Sequence, residues 1–227
     1  PMRLASSAWS PDQRYLEFTH VTYAEKGEGG AVELWLVDVA AGAARRLSTR
    51  PLSYLSGAGF GWMPDAKGLL VYLKPTTLGR PPAGTGIPDG PNVQDTGEST
   101  RTRQLRTYAD LLRNEDDARL FQHYATAQLA LIDLNGKIRK LGAPDMFIGV
   151  SVAPGGQYLL TQALLRPFSY MVPASSFARR IDVRDLAGKP VHLVADRPLE
   201  EGLPPGNDAV PHGVRNVSWR ADAAATL

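Results

Sequence analysis

The sequence has no cysteine, which excludes disulfides and thiolate chemistry and leaves the compartment open. It has no Gly-x-Ser-x-Gly nucleophile elbow, and its four histidines, His20, His123, His192 and His212, are scattered without metal-ligand spacing. No catalytic residue, metal ligand or cofactor is therefore assigned. Gly84-Thr85-Gly86 lacks the strand, helix and further glycine of a dinucleotide loop. Glu25, Glu28, Glu33, Asp116 and Asp117 fit a solvated face and a helix start rather than a paired acid and base. Neither charge sign dominates: 25 Lys and Arg face 23 Asp and Glu, so the pI near 9.0 reflects a small surplus and does not point to nucleic acid. The longest apolar run, about Gly68 to Leu73, is far short of the roughly 20 residues a membrane span needs. Nothing resembles a signal peptide. A soluble chain is expected, and bacterial cytoplasm and periplasm are both compatible with it.

What is present is a repeat. Ala8-Trp9-Ser10-Pro11-Asp12, followed by the apolar Tyr15-Leu16-Glu17-Phe18, returns as Gly61-Trp62-Met63-Pro64-Asp65 followed by Gly68-Leu69-Leu70-Val71. Worn copies stand at Ser151-Val152-Ala153-Pro154-Gly155 and Ser218-Trp219-Arg220-Ala221-Asp222. Each copy is a short strand, a tight turn whose proline presets φ, and a second strand. A second signature follows the first: Leu36-Val37-Asp38, Leu131-Ile132-Asp133 and Val183-Arg184-Asp185 each run into a glycine-containing hairpin. From the Asp to the leucine that closes the next strand (Leu47, Leu141, Leu193) is 9, 8 and 8 residues, so the register is held.

Two signatures give four strands per unit, the blade of a β-propeller. The expected fold is all-β: a partial propeller of four-stranded antiparallel blades spanning about 4–48, 57–141 and 147–194, with a further blade beginning over 214–227. From Trp9 to Asp38 is 29 residues but from Trp62 to Asp133 is 71, so an insertion over 75–126 enlarges the second blade. Its first part, Pro75 to about Arg103, lacks apolar periodicity and is expected to be an irregular loop. Thr107–Leu112 and Glu115–Tyr124 are expected to be helical, with Asn114 as N-cap. Three blades and a fraction do not close a ring of typically four to eight, and position 1 is not methionine, so the chain is read as a segment of something longer. The sequence sets neither blade total nor oligomeric state.

Strands in a blade alternate in direction, so turns between strands one and two and between three and four share one face of the ring. The long connections 75–126, 166–178 and 196–213 all fall on the other face, which is expected to meet a ligand or partner domain. There Arg166-Pro167-Phe168-Ser169-Tyr170, with Phe177, Arg179 and Arg180, gathers three arginines and three aromatics. Arginine offers a bidentate fork for carboxylates, so Arg166, Tyr170, Arg179 and Arg180 are the candidate residues for contacting acidic groups of a substrate. On the alternative reading, Phe168, Tyr170 and Phe177 pack the loop onto the blade and the arginines pair with acids at its edge.

The repeated Trp-Ser-Pro-Asp and Trp-x-Pro-Asp turns resemble the propeller of the prolyl oligopeptidase family of serine peptidases. Thr107 to Asn114, Tyr124 to Leu129, Arg166 to Tyr170 and Val217 to Asp222 resemble its glutamyl-peptidase branch. The resemblance covers nearly the whole chain, and the turn motifs are its less specific part. It implies a C-terminal α/β-hydrolase domain, absent from this chain, that carries a Ser-Asp-His triad, with the propeller covering the active site and restricting access to peptides or unfolded chains. It also implies hydrolysis after Glu and no peptidase activity in this segment alone. Peptide substrate and the hydrolase domain are thus the expected partners, with no nucleic acid and no membrane. Gln13, Ala66 and Ala223 occupy the family's usual glycine position in the turn, a departure that bears on turn type. The alternative function is an interaction scaffold without an enzyme; a carbohydrate-acting propeller would want paired carboxylates in the central channel, and none occur at the blade starts.

Overall fold

The computed structural model describes residues 4–23, 30–53, 60–84, 108, 110–201 and 213–227. Among them, twelve strands form three four-stranded antiparallel sheets, each strand pairing with the next in sequence. The first sheet holds β1 (Leu4–Trp9), β2 (Tyr15–Tyr23), β3 (Gly30–Asp38) and β4 (Ala43–Arg46). The second holds β5 (Phe60–Trp62), β6 (Gly68–Leu73), β7 (Gln128–Asp133) and β8 (Ile138–Lys140). The third holds β9 (Phe147–Val152), β10 (Tyr158–Leu164), β11 (Arg179–Asp185) and β12 (Pro190–Arg197). These are propeller blades, and the helical insertion leaves the second between β6 and β7.

The acidic residues of both signatures close turns. Asp12 Oδ1 accepts from the Ser10 hydroxyl at 2.6 Å and from the Arg14 amide at 3.2 Å, and Asp65 Oδ1 accepts from the Lys67 amide at 3.0 Å. Asp133 and Asp185 each accept two amides of their own hairpin at 2.9 Å. At the family's glycine position, Gln13 and Ala66 take φ of 60° and 58°, beside 73° for the equivalent Gly156. All three donate their amide to the carbonyl three residues back at 2.8–2.9 Å. The turn shape is therefore kept, at the steric cost a side chain meets in the left-handed region.

Sheets stack through their faces, and even and odd residues of one strand serve different seams. In β6, Leu69, Val71 and Leu73 pack toward the first blade with Leu34, Leu36, Leu47 and Ile132, while Leu70 and Tyr72 pack toward the third with Leu129, Phe147 and Leu159. This two-sided burial is what a sheet lying between two others requires. The seams also carry repeated polar ties. Arg45, two residues before the closing Leu47, donates to the Leu134 carbonyl of the second blade. Arg139, two before Leu141, donates to the equivalent Leu186 carbonyl of the third at 2.6 Å. Beside it Gly142 donates to Ala187 O at 3.0 Å, and Gly188, with φ of 82°, lies so close that a Cβ would stand 2.2 Å from Gly142 N. Glu17 occupies the position held by Leu70 and Leu160 in the other blades. It is fully buried, and neither carboxylate oxygen has a hydrogen-bond partner.

Helix α1 spans Glu115–Ala125, with Asn114 accepting the Asp117 amide as N-cap and Glu115, Asp116 and Asp117 in the first turn. The expected helix over 107–112 does not form among its described residues: Asp110 has φ of 61° and residues 110–112 are irregular. Six residues are too few to nucleate a helix without packing support. Residues 75–84 form an irregular loop; the rest of that expected loop, and most of the 196–213 linker, lie outside the described residues. Residues 214–219, where the expected further blade begins, form no strand; Arg220 N donates to Thr226 O at 2.8 Å across the turn that follows.

Candidate functional site

The described parts of the long connections meet on one side of the second and third blades. Helix α1 lays Ala118, Phe121 and Ala125 against Leu164, Phe168, Val172 and Phe177, with Leu199 from the connection after β12. Phe121 meets Phe168 and Phe177 edge-on at 5.2 and 5.9 Å, while Phe168 and Phe177 stack at 5.2 Å. Such aromatic pairs add roughly 0.5–1.5 kcal/mol each beyond the area they bury. Glu200 N also donates to Ser176 O at 3.0 Å. Segments distant in sequence thus form one surface, as the alternation of strand direction requires.

The four candidate residues divide into three settings on this surface. Arg166 and Tyr170 converge on Glu115 at the start of α1, through Arg166 Nη1 to Oε1 at 3.2 Å and the Tyr170 hydroxyl to Oε2 at 3.3 Å. Arg166 Nε also donates to Gln122 Oε1 at 2.7 Å, and its guanidinium lies 4.8 Å from the Phe168 ring centroid. Partial burial, then the neighbouring Glu115 charge, raises the Tyr170 pKa. Arg180 forms a bidentate pair with Asp196 across the β11–β12 ladder, at 2.8 and 2.9 Å. That pairing holds the Asp196 carboxyl below the usual carboxylate range and raises the Arg180 pKa.

Arg179 differs. It is half-buried and donates to the Ser175 carbonyl, and among the described residues it makes no ion pair. Arg197 beside it spends its charge on Glu200 at 2.6 Å. Burial, and secondarily the Arg197 charge, lowers the Arg179 pKa, with Glu200 opposing the shift. A desolvated guanidinium in that setting gains more from an incoming carboxylate than one already paired. The structure therefore brings Arg166 and Tyr170 together, sets Arg180 apart on its own acid, and leaves Arg179 the cation with spare charge.

Sequence reasoning missed Glu115 as the acceptor of both Arg166 and Tyr170. The residues stand 51 and 55 positions apart, and Glu115 carried only the signal of a first-turn helix acid. No group of three or more His, Asp or Glu residues fit to hold a metal ion occurs among the described residues, and no helix there is long and apolar enough to cross a membrane.

No protein-family model matches the chain. By sequence it is 34% identical to a rice (Oryza sativa subsp. japonica) protein named "Probable glutamyl endopeptidase, chloroplastic", over 99% of this chain and 24% of that protein. A protein of the same name from Arabidopsis thaliana is also 34% identical, over 96% of this chain and 23% of its own length. The chain thus spans about a quarter of the curated relatives it matches. Among solved structures, acylaminoacyl peptidase from Pyrococcus horikoshii shares the fold over 86% of this chain and 25% of its own, with a TM-score of 0.50 at 10% identity. The turn signatures, the helical insertion after β6 and likeness along almost the whole sequence agree: the chain is a β-propeller segment homologous to about a quarter of these proteins named glutamyl endopeptidase.

Proposed function

We propose that this chain is the part of a serine peptidase that covers the active site, admits peptides and unfolded chains, and contacts acidic ones before cleavage after Glu. The observation that carries the reading is the alignment of nearly all of this chain with about a quarter of two proteins named glutamyl endopeptidase, joined to the meeting of the long connections on one face. On this reading a C-terminal α/β-hydrolase domain supplies the nucleophile, and the propeller supplies selection. Of the four candidates, Arg179 is the leading contact for a substrate carboxylate, since Arg166, Tyr170 and Arg180 already serve Glu115 and Asp196. Arg166 and Tyr170 then shape the surface by holding the 166–178 connection to α1.

The test is Arg179→Ala in the complete protein, read as KM for a peptide cleaved after Glu and for its Gln counterpart. A charge-assisted hydrogen bond contributes about 1.5–3 kcal/mol, so KM for the Glu peptide is expected to rise at least tenfold while the Gln peptide changes little. Equal changes for both peptides would make Arg179 a structural residue.

A further inference from the structure

The signature tryptophan is a latch between blades. Trp62 Nε1 donates to the Ala8 carbonyl of the first blade at 3.4 Å, and Trp219 Nε1 donates to the Ser151 carbonyl of the third at 3.2 Å. Ala8, Gly61 and Ser151 are equivalent, each standing just before the signature position of its own blade. The third blade has Val152 at that position, so its side chain offers no N–H to the Gly61 carbonyl. Between the second and third blades the structure holds a partly open cavity of about 200 Å³, lined by Gly61, Trp62, Leu70, Tyr72, Val150 and Val152 among others. A Cβ built on Gly61 would meet nothing within 4 Å.

We infer that this cavity is a binding site for one planar aromatic group with a ring N–H, an indole above all, seated where the repeat elsewhere places tryptophan. The size fits, since an engineered apolar cavity of about 150 Å³ takes up benzene. The walls supply aromatic and aliphatic surface for the ring. A polar group matches as well: a carbonyl has two lone pairs, so Gly61 O can accept an indole N–H beyond its ladder bond. The inference does not depend on the peptidase reading, because it rests on the seams alone.

The site is tested by thermal shift and calorimetry with free indole, 1-methylindole and N-acetyltryptophanamide, the last standing for a tryptophan presented by a peptide. Indole is expected to raise Tm saturably and 1-methylindole to bind at least tenfold more weakly. A response to N-acetyltryptophanamide equal to that of indole would assign the site to peptide side chains; a response to indole alone would assign it to the free ring. Val152→Trp should abolish indole binding and raise Tm without ligand, as the chain's own indole closes the seam. No saturable response in the unmodified protein, meaning water alone fills the cavity, would overturn the proposal. So would undiminished indole binding by a folded Val152→Trp protein.

Discussion

Each of the two complete blade seams buries a carboxylate, in opposite circumstances. Between the second and third blades, Asp182 is 3% exposed and fully engaged: Thr161 donates to it, and Arg184 donates to both its oxygens at 3.0 and 3.2 Å while lying 5.2 Å from the Phe147 ring centroid. Between the first and second blades, Glu17 is buried as deeply among apolar residues with no partner. Leucine fills its place in the other blades. Burial alone pushes the Glu17 pKa up to about 8. Depth is therefore not what makes a buried carboxylate tolerable; a guanidinium and a hydroxyl on the same face are. The repeat explains why both cases coexist, because apolar packing and the outer arginine ties hold each seam and leave single positions free to vary.

Removing the cation from the satisfied seam should have the largest effect. Arg184→Met leaves Asp182 buried with Thr161 alone and is expected to destabilise the fold by about 3–5 kcal/mol, measured by urea denaturation. A loss below about 1 kcal/mol would mean that the seam does not depend on the pair.

The unsatisfied seam should respond next, and with pH. The Glu17 pKa is raised from 4.5 to about 8 in the fold, so the native state holds a proton that the unfolded chain releases. Stability from this group is fully present below about pH 4.5 and is lost as pH rises toward about 8, at up to about 1.4 kcal/mol per unit. Glu17→Gln should remove that slope, and Glu17→Leu should exceed the unmodified protein by on the order of 3 kcal/mol at neutral pH. Parallel pH profiles for the unmodified and Gln proteins would show that Glu17 is ionised and solvated in the fold.

The smallest effect belongs to a change in a turn. Ala66→Gly relieves a left-handed φ of 58° and should stabilise by about 0.5–1 kcal/mol once the added freedom of the unfolded chain is counted. A loss of stability in denaturant titration would mean that the Ala66 methyl contributes more packing than its conformation costs.

The blades were legible because their information is local and repeated. Pro-Asp turns, alternating strands and the closing leucines Leu47 and Leu141 each state their role within about ten residues. Leu193 carries the same signal yet is 53% exposed, against 3% and 1% for the other two, because a closing leucine is buried by the next blade and no described strand covers it. The helix expected over 107–112 rested on composition, and the left-handed Asp110 prevails there. On the candidate surface, the arginine and aromatic cluster was visible, whereas its partition among Glu115, Asp196 and open charge was not. Those pairings join segments up to 55 residues apart, and no spacing rule reaches that far. Glu17 was readable in principle, since aligning the copies sets it against Leu70 and Leu160.

The role of the propeller as a selective cover is tested most directly by comparing cleavage of one Glu-containing sequence by the complete protein in two contexts. The sequence is offered as a short free peptide and as an exposed loop of a stably folded protein. Cleavage of the peptide at a rate at least a hundredfold above that of the folded substrate is the expected result. Equal rates in the two contexts would contradict a gating propeller.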